Sequence, residues 1–70
     1  MKIVLKFAGD KDSLIIADKE NLHYTLDTRA IFVSYKEEGK DYAMMIPLYQ
    51  LKYFFVESQN LWLFLNFHTI

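Results

Sequence analysis

The sequence predicts an all-β domain, a small antiparallel meander of six or seven short strands, and three observations predict it. Apolar and polar residues alternate with a period of two in short segments, those segments are rich in β-branched and aromatic residues, and each is bounded by a charged or polar turn cluster. Apolar residues seldom recur at i, i+3, i+4 and i+7, so no amphipathic helix of about ten residues or more is expected.

The first strand is expected over Lys2 to Ala8, with Ile3, Leu5 and Phe7 on one face and Lys2, Val4 and Lys6 on the other. Gly9-Asp10-Lys11-Asp12 breaks it. Ser13 to Ala17 and Leu22 to Leu26 read as two further strands joined through Asp18-Lys19-Glu20-Asn21, and Asp27-Thr28-Arg29 turns the chain again. Ala30 to Lys36 and Asp41 to Ile46 flank Glu37-Glu38-Gly39-Lys40, read as a four-residue hairpin loop whose glycine supplies a positive φ. Pro47 lacks a backbone donor and should end a strand, opening either a turn or one short helical turn through Leu48 and Leu51. Alternation resumes from Leu51 to Val56, Ser58-Gln59-Asn60 turns, and Leu61 to His68 forms the last strand. A curled single sheet or small open barrel is the economical arrangement, because consecutive strands tend to pair and closure hides sheet edges.

Seventy residues make a single domain, 1–70. A domain of this size buries only roughly 60% of the surface its unfolded chain exposes, so chains this short often lean on disulfides, a metal or a partner. With no cysteine, disulfides and thiolate metal sites are excluded, leaving oligomerisation or an unusually apolar core. A composition 53% hydrophobic and 17% aromatic suits either remedy.

A net charge of −1 gives no long-range attraction to nucleic acid or anionic membrane. The first six residues carry two lysines and no signal-peptide pattern, and the apolar run Leu61 to Phe67 is far short of a membrane span of roughly 20 residues. The chain is therefore read as cytoplasmic.

Charge is distributed unevenly: 15 of the 17 charged residues lie within residues 1–41, and only Lys52 and Glu57 follow. In the last strand Leu61, Leu63, Leu65 and Phe67 fill one face while Trp62 and Phe64 occupy the other, and Tyr53-Phe54-Phe55-Val56 is likewise apolar on both sides. A two-sided apolar segment needs cover, from closure of the sheet or from another chain.

Chemistry finds little support. His23 and His68 are the only imidazoles, with no grouping of carboxylates or hydroxyls around either in sequence; His23 reads as structural or solvated, and His68, close to a terminus, as a residue that could as easily fray. The Asp10/Asp12 and Asp18/Glu20 spacings could offer oxygen to a hard cation, but they lack the further ligands of a calcium loop and read as turn residues. No cysteine nucleophile, serine elbow or glycine-rich phosphate loop is present, so neither an enzyme nor a cofactor is expected.

These observations lead to a noncatalytic protein-interaction module, a homo-oligomer whose interface includes Tyr53, Phe55, Trp62 and Phe64. It would act as an adaptor or small inhibitor, of the kind phages and mobile elements encode. The alternative is single-stranded nucleic-acid or nucleotide binding through stacked rings, for which Tyr24, Phe32, Tyr35, Tyr42, Tyr49 and Tyr53 are candidates. Lysines offset by neighbouring acids, with Lys52 alone in the aromatic half, argue against it.

Overall fold

A computed structural model describes residues 1–59 and 61–67. Seven strands run in chain order: β1 (Lys2–Phe7), β2 (Ser13–Ala17), β3 (Glu20–Leu26), β4 (Ala30–Glu37), β5 (Lys40–Pro47), β6 (Leu51–Ser58) and β7 (Leu61–Asn66), with one 3-10 turn, Leu48–Gln50, between β5 and β6. All pairings are antiparallel. The strands form two open sheets, one ordered β2-β1-β6-β7 and the other β3-β4-β5.

The two sheets share one core. Ile3 and Leu5 of β1 and Phe54 and Val56 of β6 meet Ile31 and Val33 of β4 and Ile46 of β5 in one buried cluster. The period-two pattern explains the selection, since within each strand these are alternate residues and so lie on one face. Phe54 is fully buried, and the ring of Tyr24 on β3 meets it edge-on with centroids 5.4 Å apart.

A curled sheet or open barrel is not what forms. The reason lies at two connections. Between β2 and β3 only Asp18 and Lys19 intervene, and Asp18 has a φ of 57°, a left-handed turn that Asp tolerates better than most residues. The chain there leaves one sheet and enters the other instead of pairing β2 with β3. Pro47 does the same at the end of β5: it sits on an edge strand, where a missing N–H costs nothing, and delivers the chain into the 3-10 turn, whose Leu48 N–H donates to the Arg29 carbonyl at 2.9 Å. Each sheet then covers the inner face of the other, so closure is not needed. The meander is likewise restricted to β3-β4-β5, because β1 pairs with β6 across most of the chain.

Strand bounds differ from expectation where backbone conformation overrides side-chain pattern. β3 begins at Glu20, and Asn21, with a φ of 57°, sits at a register shift between Glu20 and His23. The hairpin between β4 and β5 is tighter than the four-residue loop the sequence suggests: Glu37 pairs with Lys40, and Glu38 and Gly39 both have positive φ. Positive φ at both loop positions is the I′ geometry that matches strand twist. Part of the last predicted strand, at His68, falls outside the described residues.

A Cβ at Gly39 would meet no atom within 4 Å beyond its chain neighbours, so the positive φ of 78° is what opposes a substitution there. Gly39→Val should cost more than about 1 kcal/mol, whereas Glu38→Asn, which suits a left-handed φ, should stabilise by several tenths. Paired urea melts read both. Phe54→Ala should lower unfolding free energy by about 3–5 kcal/mol, because it opens a void between the sheets.

Candidate functional site

The register of the four-stranded sheet fixes what its outward face carries. Ile15 on β2 lies opposite Val4 on β1, Val4 opposite Phe55 on β6, and Phe55 opposite Phe64 on β7, giving an unbroken apolar row across all four strands. Directly opposed residues point to the same side of a sheet, so the row is continuous on one face. The adjoining rows add one ring each: Lys2, Glu57 and Trp62 on one side, Lys6, Tyr53 and Asn66 on the other.

Tyr53, Phe55, Trp62 and Phe64 therefore come together as a cluster of four rings, with Tyr53–Phe64 centroids 5.4 Å apart, Phe55–Trp62 5.6 Å and Phe55–Phe64 6.5 Å. The tilted and edge-on arrangements are those aromatic quadrupoles favour. The second sheet covers the opposite face and leaves this one open: Trp62 is 70% exposed, Ile15 58% and Phe64 55%, while Tyr53 and Phe55 are half-buried. All four residues that the sequence nominates for an interface thus share one outward surface.

The pairing of β1 with β6 adds neighbours that sequence order conceals. Lys2 sits opposite Glu57 and Lys6 opposite Tyr53, so two basic residues from the charged half flank rings from the apolar half. Lys6 is engaged in part, its ammonium donating to the Asp10 carbonyl. Sequence reasoning could not supply this, because alternation reports the face of a strand and not its partner.

The six rings considered for base stacking do not form one platform. Tyr24 packs into the core against Phe54, Tyr35 and Tyr42 stack on each other with centroids 5.3 Å apart, and Tyr49 stands exposed on the 3-10 turn. Phe32 lies on the outward face of the other sheet, opposite the exposed Met45. Only Tyr53 belongs to the four-ring cluster.

His23 finds Ser34 directly opposite on β4, its hydroxyl 3.1 Å from Nδ1 and 3.0 Å from Nε2. The hydroxyl is within hydrogen-bond distance of both ring nitrogens, and which of them donates depends on the tautomer. The Nδ1 also lies 3.3 Å from the Asn21 carbonyl. Asp10, Asp12, Asp18 and Glu20 do not converge; among the described residues no three His, Asp or Glu side chains are grouped to hold a metal. Lys19 pairs with Glu37, and that hydrogen bond, opposed in part by desolvation, raises the Lys19 pKa above its ordinary value. The pair is partly exposed and screened by solvent, so it contributes little to stability.

Comparison with known protein families, with curated proteins and with solved structures finds no match to this chain. The surface has to be judged on its own chemistry.

Because Trp62 is mostly exposed, Trp62→Glu should leave the fold intact and cost less than about 1.5 kcal/mol, chiefly the ring contact with Phe55. An unfolded variant by circular dichroism would place Trp62 in the core instead.

Proposed function

We propose that the protein is a noncatalytic interaction module that works as a homo-oligomer, with the outward face of the β2-β1-β6-β7 sheet as its binding surface. The observation that carries this reading is the row Ile15–Val4–Phe55–Phe64 with Trp62 and Tyr53 beside it: a continuous apolar, aromatic strip left open to solvent. Exposed patches of this kind on small proteins mark association sites, and aromatic residues are enriched at the centres of interfaces. The strip runs across the whole sheet, and Lys2, Lys6 and Glu57 in the adjoining rows supply polar positions around it. An adaptor or a small inhibitor would use such a surface without chemistry of its own.

One observation favours a second reading, single-stranded nucleic acid stacked on the same rings. Lys2 and Lys6 stand on the platform face, where they could meet phosphates. Against it, Glu57 lies directly opposite Lys2, the Lys6 ammonium is engaged by Asp10, and the chain is slightly acidic.

Light scattering on a sizing column across a concentration series tests the leading reading. The unmodified protein should run as a dimer or larger species, and Trp62→Glu should shift it to a folded monomer at the same concentration. A folded monomer of the unmodified chain at every concentration contradicts self-association. Retention of a labelled single-stranded oligonucleotide that weakens steeply with salt would transfer the surface to nucleic acid.

A further inference from the structure

We infer that two copies of the chain join through the edges of β7, antiparallel about Leu63, to make one continuous eight-stranded sheet. The inference rests on the self-association reading and places the contact between copies at the β7 edge of the aromatic sheet, with Trp62 and Phe64 at the junction, and not face to face. β7 is an edge strand, paired with β6 on one side and with no strand on the other among the described residues. Edge strands are usually blunted by charge, proline or a bulge. Leu61–Asn66 has no charge, no proline and no glycine, and its register with β6 runs without a shift. The edges of the second sheet contrast with it: β3 carries Glu20 and a register shift, and β5 carries Lys40, Asp41 and a terminal Pro47; β2, the other edge of the sheet that holds β7, is uncharged like β7 but carries no ring.

The strand is complementary to itself. Antiparallel pairing centred on Leu63 sets Leu63 opposite the second copy's Leu63, Leu61 opposite Leu65, and Trp62 opposite Phe64. Opposed residues share a face, so the core-side leucines meet leucines and the outward rings meet rings. With no charged residue in β7, no like charges are brought together. A centre at Phe64 would set Phe64 opposite its own copy but Asn66 against Trp62, leaving Trp62 with no ring across the junction; Leu63 is the centre that gives both rings a ring partner. The two-fold contact uses the same patch on each copy and closes on itself, giving a dimer and not a fibre. Across the junction the row Ile15–Val4–Phe55–Phe64 continues into the second copy's Trp62, so the two strips become one long aromatic surface.

Cysteine crosslinking tests the register, and the absence of native cysteine makes any introduced thiol the sole one. Under mild oxidation Leu63→Cys should form a disulfide-linked dimer in high yield. Leu61→Cys should not, since its copies would lie four residues apart along the ladder, roughly 14 Å. On the unmodified protein, backbone amide exchange should slow throughout Leu61–Leu65 in the dimer, compared with alternate positions in the dilute monomer. A dimer by light scattering with equal crosslinking of both variants, or with fast-exchanging alternate amides in β7, overturns the edge pairing and leaves self-association standing. Growth without a plateau as concentration rises also overturns it, pointing to head-to-tail contacts. A monomer at all concentrations overturns both.

Discussion

The pairing of β1 with β6 is the constraint on which the rest of the structure depends. Six residues near the start of the chain align with Leu51–Glu57 near its end, and the pair forms the centre of the four-stranded sheet. One side of that pair presents Ile3, Leu5, Phe54 and Val56 to the second sheet and makes half of the core. Its other side presents Val4, Tyr53 and Phe55, around which the edge strands add Ile15, Trp62 and Phe64. Folding the core and assembling the exposed strip are consequences of one ladder.

The alternation along β6 contains a local departure that serves this arrangement. Lys6 is opposite Tyr53 but Phe7 is opposite Leu51, so Lys52 is an extra residue on β6. A bulge of this kind keeps Leu51 and Phe54 both buried although they are three residues apart, and turns the intervening Lys52 to solvent. The Lys52 carbonyl then accepts from the Phe67 N–H at 2.9 Å, which fixes the end of β7 beside the bulge. Polar and apolar requirements are met together by a single added residue.

How much of this the sequence discloses depends on the range of the interaction involved. Local preferences are readable: period-two alternation locates all seven strands, Pro47 marks the 3-10 turn, and Gly39 marks the β4–β5 hairpin. Sheet membership is not, because Asp18 and Asn21 adopt left-handed conformations that composition suggests only weakly, and because the β1–β6 ladder closes a loop of more than forty residues that no local pattern encodes. For the same reason the four rings at the surface could be named as interface candidates from their two-sided strands, while the lysines beside them could not. The expected barrel followed from treating strands adjacent in sequence as adjacent in space; two sheets satisfy the same burial requirement without closing.

Trp62 is the only tryptophan in the chain and stands on edge strand β7 at the outer side of the ring cluster, which makes it a reporter of contact between copies. The most direct test is its fluorescence emission followed through a dilution series. The account predicts a blue-shifted maximum at high concentration that moves to the red, as the ring becomes solvated, in step with dissociation. An emission maximum that stays at the solvent-exposed position across the whole series, with the protein folded, would contradict the claim that the molecule associates through the part of the sheet that carries Trp62.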